Sequence, residues 1–328
     1  MNVTTARTAT RTTAITLARS LCAALSTSRR AAGLLAMASA LTLTACGSST
    51  SIVSSLVPSR FIAFGDGFSD LGQAGGTRYT VNDATTNVWV QTLAASYGQT
   101  LQAQSAGGQG WARGQARITQ KPDAAGNAAT LTVAEQVDAF LASSAIAQND
   151  VTLVGGGVGD IVALTTAYKA NTITSAQLLL DAAQAGRDLG AQVRRLVSAG
   201  GKHVVVTGVV NLGRTPYAAA LAETALLSNA SLKFNEALLV SIVDLGANAL
   251  YIDMAFQTNL FINSFGTYGF TNATAAACAV PVQTPCTPTT LTAGVDYTKY
   301  VFADSVYLSP SAHRQLGEYA YNRMKTRW

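Results

Sequence analysis

Four short apolar runs constrain the fold of this chain more than any other feature of its sequence. Two of them pass directly into glycine, as expected where a buried strand enters a tight turn. Continuous apolar runs of this length are typical of parallel strands whose two faces are both covered. The runs lie at 61–64, 151–154, 203–210 and 249–253.

Longer segments with helical spacing of apolar residues lie between these runs. They predict helices over 133–147, 178–199 and 221–245, and a last helix that begins at Ser309-Pro310 and runs towards Lys325. A serine cap followed by proline in the first turn is a common helix start. Alternating strands and helices predict a three-layer α/β/α sandwich with a central parallel sheet, of flavodoxin-like type. In such sheets ligands bind at the carboxyl ends of the strands.

The first 45 residues have the pattern of an export signal. They contain five arginines and no acidic residue or lysine, and they include an apolar run over 31–43. This run is too short to remain as a membrane-spanning helix. It ends in Leu43-Thr44-Ala45-Cys46, which resembles the lipobox of bacterial lipoproteins, whose cysteine becomes the acylated first residue.

We therefore expect three parts: a lipoprotein signal peptide over 1–45, a lipidated tether over 46–59 and a single domain over 60–328. An ordinary cleaved signal followed by a chance cysteine is the alternative. With a lipid on Cys46, the protein would be anchored in the envelope of a Gram-negative bacterium, at the outer membrane.

The charge of the chain excludes a nucleic-acid-binding role. The chain has 22 basic and 17 acidic residues, and removing the five arginines of the signal leaves 17 against 17. A balanced domain lacks the basic surface that nucleic acid requires. No His, Cys, Asp or Glu cluster has metal-ligand spacing, so we expect no metal and no cofactor. We also expect a monomer.

Two cysteines remain after the signal and the lipidated position are set aside. Cys278 and Cys286 have seven residues between them, among Ala, Thr and Pro. In an exported protein such a pair is expected to form a disulfide that closes a small loop.

Four segments of the chain, in the same order, resemble the conserved blocks of SGNH (GDSL-type) hydrolases. They span nearly all of the predicted domain. The blocks are FGDGFSDLG at 64–72, GWARGQAR at 110–117, GVGDI at 157–161 and FADSVY at 302–307.

The resemblance implies an ester hydrolase whose catalytic positions have been replaced. The family's serine nucleophile corresponds to Gly67, its two additional oxyanion donors to Gln115 and Gly159, and its histidine base to Tyr307. Only the acid that orients the base is retained, as Asp304. Restoring Gly67→Ser alone should therefore give no activity, whereas Tyr307→His, Gln115→Gly and Gly159→Asn should each contribute further rate.

Other polar residues near the blocks have simpler expected roles. Ser69 is expected to cap a first helix and to point away from the pocket. His313 is expected to be a partly exposed residue of the last helix, and His203 to be structural. Asp66 and Asp70 flank the first turn and are expected to accept hydrogen bonds from backbone amides.

Three hypotheses for function follow. The leading one is an inactive relative that uses the old cleft to bind a small acyl or glycan ligand or another envelope protein. The alternatives are an active esterase or lipase that cleaves acyl esters, and a purely structural envelope lipoprotein. Turnover of a short-chain ester separates the first two. Whether the cleft is open, or filled by Gln115 and Tyr307, separates the first from the third.

Overall fold

The computed structural model describes residues 54–83, 86–281 and 284–328. The predicted signal peptide, Cys46 and most of the tether lie outside these residues. Residues Ile52–Trp328 form one compact unit. The predicted domain is therefore described almost in full.

Four parallel strands form the central sheet, in the order β1-β2-β3-β4. The four predicted apolar runs are all confirmed as strands. The third strand is shorter than its run, because the chain leaves the sheet before Gly208. Their bounds are Phe61–Phe64 for β1, Val151–Val154 for β2, His203–Thr207 for β3 and Ala249–Ile252 for β4.

A second, two-stranded parallel sheet lies after the central one in the chain. It pairs β5, Asn272–Ala276, with β6, Tyr300–Phe302. The sequence did not predict these strands, because β5 has no continuous apolar run and β6 is only three residues long. This second sheet positions the last block, 302–307, which begins at the final residue of β6.

Eight α-helices occur in the described residues, and the four predicted ones are among them. The predicted helix over 221–245 begins later than expected, because Ala222 takes a left-handed conformation that ends the preceding short helix. The helices are α1 Trp89–Ser96, α2 Val133–Ser143, α3 Val158–Lys169, α4 Ser175–Ser198, α5 Pro216–Leu221, α6 Thr224–Ile242, α7 Met254–Asn263 and α8 Pro310–Lys325.

The helices form two groups, one for each face of the sheet, which gives the predicted α/β/α sandwich. Helices α2, α3 and α6 each contact α4, and α8 contacts both α1 and α7. Helices α4 and α6 pack closely at Gly186, where a Cβ atom would lie 2.2 Å from the Phe234 carbonyl oxygen. No helix of the described residues combines the length and the apolar character needed to cross a bilayer.

Candidate functional site

The turns that follow β1 and β2 meet at the carboxyl edge of the sheet, and buried carboxylates join them. Asp66 accepts hydrogen bonds from the amides of Phe68 and Val158, both at 3.1 Å, and so links the first block to the third. Asp70 accepts from the amide of Gly114 at 2.6 Å and links the first block to the second. The expected backbone-binding role of both acids is confirmed.

Asp160 joins the third block to the second. Its Oδ2 accepts from the amide of Ile118 at 2.9 Å, and its Oδ1 lies 3.5 Å from Arg117 Nε. Burial raises the pKa of this carboxyl to about 7, although the Arg117 charge opposes that shift. These bonds hold the second and third blocks against each other.

Gln136 fixes the first turn, and sequence reasoning missed it. This fully buried side chain of α2 accepts from the amide of Gly65 at 2.8 Å and donates to its carbonyl at 2.9 Å. A polar residue on the inward face of a helix was the available signal, because a buried amide needs partners.

The nucleophile position has no room for a side chain. A Cβ atom at Gly67 would lie 2.6 Å from both Cζ and the hydroxyl oxygen of Tyr307. The Tyr307 side chain is fully buried, and its ring packs 5.0 Å, centroid to centroid, from the rings of Phe68 and Tyr79. The residue at the predicted base position therefore fills the space at the predicted nucleophile position.

Tyr307 lacks the properties of a general base. Burial raises its pKa well above the ordinary value of 10, and the nearby Asp66 carboxylate acts in the same direction. The hydroxyl has no hydrogen-bond partner among the described residues. At neutral pH the side chain is an un-ionised phenol that serves as packing.

Asp304 holds the backbone of its own turn instead of orienting a base. Its Oδ1 accepts from the amides of Val306 at 2.7 Å and Tyr307 at 2.6 Å. Its Oδ2 has no partner in the described part of the chain. Burial raises the pKa of the carboxyl to about 7. The acid is present, but its role is to shape the loop.

The two remaining oxyanion positions are altered in different ways. Gln115 has a φ of 63°, a left-handed conformation that glycine adopts most easily. Its side chain shares a hydrogen bond with Tyr79. At Gly159, a Cβ atom would lie 2.4 Å from the carbonyl oxygen of Ala116. The backbone of the second block therefore occupies the space that an asparagine side chain would need.

Two expectations were wrong: that Ser69 caps a helix and that His313 is partly exposed. The chain forms a turn and not a helix directly after Gly67, and Ser69 Oγ is buried and accepts from Trp89 Nε1 at 3.2 Å. His313 is completely buried, and its Nδ1 accepts from the Trp89 amide at 3.3 Å. Burial lowers the pKa of His313 to about 3. Both errors have the same cause. Helix α1 packs against α8 and buries Trp89, whose indole and amide then donate to Ser69 and His313.

An open cavity of about 590 Å³ lies beside the filled catalytic position. Two loops, over 70–79 and 113–131, form its walls, and Pro285 closes one side. Gln115 and Tyr79 line this cavity, whereas Tyr307 lies beneath its surface. An open cavity is therefore present next to the filled position at residue 67.

The cavity wall combines apolar and polar surface, and its carboxylates are already satisfied. Asp123 accepts from the amides of Ala125 and Asn127 and from the hydroxyl of Thr130. The Asp70 carboxylate likewise accepts hydrogen bonds from backbone amides. The polar groups left to bind a ligand are therefore amides, hydroxyls and the Arg113 guanidinium, beside apolar side chains such as Leu131 and Pro285.

The expected disulfide between Cys278 and Cys286 is present, with 5.9 Å between the Cα atoms. Both cysteines pack with Val81 and Ala303 in a small apolar cluster. Pro285, which lines the cavity, lies within the loop that this bridge closes. The bridge therefore holds Pro285 at the cavity wall. Among the described residues no cluster of His, Cys, Asp and Glu has the arrangement of a metal site.

Comparison with known proteins identifies the family of the chain. Sequence comparison with curated proteins finds no significant match. Among solved structures, one crystal structure matches 83% of this chain and 98% of its own chain, at 14% identity and a TM-score of 0.47. The family model described as GDSL-like Lipase/Acylhydrolase matches residues 61–320, which is most of the chain. The chain therefore belongs to the GDSL-like lipase/acylhydrolase family.

Proposed function

We propose that this protein is a non-hydrolytic member of the family that binds a ligand in the retained cleft. One observation carries the proposal: the Tyr307 ring occupies the space where a nucleophile side chain at residue 67 would stand. A catalytic serine cannot act from a position that has neither a hydroxyl nor room for one.

The size of the expected loss supports inactivity rather than weak activity. Removal of a triad serine or histidine lowers turnover about a million-fold, and the losses do not add because the residues act together. A single oxyanion donor contributes about a hundred- to a thousand-fold. Here the positions of two donors, Gln115 and Gly159, are also changed. Little of the family's catalysis can remain.

The open cavity favours a ligand-binding role over a purely structural one. A volume of about 590 Å³ suits a small molecule or a short segment of a larger one. Amides and hydroxyls along the wall can bind the hydroxyls of a glycan or the carbonyl of an acyl group. Another envelope protein could contribute such groups from an exposed loop.

We further propose that the protein is an envelope lipoprotein anchored at Cys46. The sequence Leu43-Thr44-Ala45-Cys46 and the polar residues after it support this location. A Gram-negative outer membrane is the expected site.

Hydrolysis of 4-nitrophenyl butyrate by the purified protein tests the proposed inactivity. We expect no rate above that of heat-treated protein. If a rate appears, Gly67→Ala and Ser69→Ala identify its origin: an unchanged rate in the first and a lost rate in the second would assign it to Ser69 and overturn the proposal.

A further inference from the structure

The end of the domain opposite the cleft gathers several segments at the amino ends of the strands. The chain enters β1 there, directly after the tether. Helices α4 and α6 end there as well, because each leads back to the start of the next parallel strand. The last residues of α8 join them: Trp328 Nε1 donates to the Ala247 carbonyl, and Arg327 donates to the Gly246 carbonyl, both at 2.7 Å. We call this surface the amino-end face.

Exposed aliphatic side chains mark the amino-end face. Val240 is 74% exposed, Val243 is 79% exposed and Leu239 is 41% exposed, all at the end of α6. Val57, four residues before β1, is 76% exposed at the same end. Trp328 adds an indole that packs against His203, with 5.0 Å between ring centroids. A group of exposed aliphatic side chains at one end of a domain is typical of a surface that another molecule covers.

The charge of this face is positive. Lys202, Lys325 and Arg327 form no ion pair within the described residues. The acids near them are already neutralised by arginines: Asp138 by Arg195, Asp150 by Arg60 and Asp244 by Arg194. A basic residue in a last helical turn also stabilises the helix dipole, which explains Lys325. It explains neither Lys202, which precedes β3, nor the exposed valines.

We infer that the amino-end face docks on the surface of an anionic lipid bilayer. The valines would enter the interface between headgroups and acyl chains, and the three basic side chains would bind lipid phosphates. The chain outside the domain supports this occupant. From Cys46 to Val57 there are eleven residues, which reach at most about 40 Å when extended. A lipid on Cys46 would therefore hold this face near the membrane, with the cleft pointing away from it.

A position-specific fluorescence titration tests the docking. The full chain carrying Cys22→Ala and Cys46→Ala, so that no other free thiol is labelled and no acyl anchor contributes, receives a fluorophore at Val243→Cys. A second protein carries it at Ala74→Cys, which lines the cleft. Both are titrated with vesicles of phosphatidylcholine and phosphatidylglycerol that contain a nitroxide-labelled lipid. We expect quenching at residue 243 and none at residue 74. Equal quenching at both positions, or quenching only at residue 74, would overturn the inference.

Charge variants of the protein labelled at residue 243 distinguish docking of this face from membrane binding by the N-terminal segment. All variants share that segment, so it cannot cause a difference between them. Each basic residue near an anionic surface strengthens binding by about fivefold. Replacing the three basic residues of the face with glutamine should therefore raise the half-maximal lipid concentration about 100-fold. A triple variant towards the cleft end that removes the same number of positive charges should leave it unchanged: Lys121→Gln, Lys299→Gln and Arg314→Gln.

Two results would contradict the inference. The first is an equal effect of the two triple variants. The second is quenching that is as strong on pure phosphatidylcholine as on the anionic vesicles. Circular dichroism of each variant confirms that its fold is intact. The inference does not depend on the proposed ligand-binding function, because the cleft lies at the other end of the sheet.

Discussion

The Tyr307 hydroxyl oxygen lies 2.6 Å from the position that a Cβ atom on Gly67 would occupy. The resemblance to the family assigns these two residues to the base and nucleophile positions, and the space for one depends on the size of the other. Glycine at residue 67 leaves space for the larger ring, and the ring fills the void that the absent serine would leave. The two substitutions are thus one structural change, and we expect their effects to be coupled.

The coupling predicts that any side chain at residue 67 destabilises the fold. Gly67→Ala should lower the free energy of unfolding by about 1–3 kcal/mol, because overpacking a core forces neighbours to move. The cost should fall in a Tyr307→His background, where the ring is smaller. Urea denaturation of the four proteins of this cycle measures both values. Gly266→Ala is a matched control, since a Cβ atom there would contact nothing within 4 Å. Equal costs at residues 67 and 266 would refute the coupling.

Restoration of esterase activity should follow a defined order. Gly67→Ser alone should give none, because the serine would have neither space nor a base. Adding Tyr307→His should give a low rate, and Gln115→Gly should raise it about ten- to a thousand-fold by clearing an oxyanion position. Gly159→Asn should not help, contrary to the expectation from sequence, because the Ala116 carbonyl occupies the required space. Ester turnover by the stepwise variants tests the order, and activity from the serine alone would contradict it.

Replacement of Asp304 should change how stability depends on pH. Its folded-state pKa is raised to about 7, so the protonated form is favoured in the fold. The resulting stability is complete below the unfolded-state pKa of about 4 and is lost as pH rises through 7. Asp304→Asn cannot ionise, and its side-chain oxygen can still accept from the Val306 and Tyr307 amides. Relative to the wild type, the variant should gain up to about 4 kcal/mol between pH 4 and pH 8.

Unfolding by urea at several pH values measures this difference. Other buried groups with shifted pKa values, such as Asp66 and His313, are the same in both proteins, so the difference between them reports on Asp304. A difference that does not vary with pH would show that the Asp304 carboxyl titrates normally.

Lipidation of Cys46 is a separate prediction. Cells given a radioactive fatty acid should label the wild-type protein and not Cys46→Ala. The wild-type protein should also sediment with membranes. Equal labelling of the two proteins, or a wild type found in the soluble fraction, would end the lipoprotein proposal.

The sequence predicted the sheet well because each buried strand leaves a continuous apolar run, as at Phe61–Phe64. It also located all four blocks and the disulfide. It could not predict that Tyr307 lies against residue 67, because that contact joins positions 240 apart in the chain and depends on rotamers. His313 was misjudged for a similar reason: the sequence of α8 does not reveal that α1 covers that face. Gln136 was missed because its partner is a backbone group of a distant turn.

Labelling with a fluorophosphonate is the most direct test of the central claim that the family's catalytic centre is closed in this protein. Such reagents bond covalently to activated serine hydroxyls, and peptide mass spectrometry locates the adduct. We predict no adduct on the wild-type protein, since residue 67 is glycine and Ser69 Oγ is buried against the Trp89 indole. An adduct on Ser69 or on any other serine, together with ester turnover, would contradict the account.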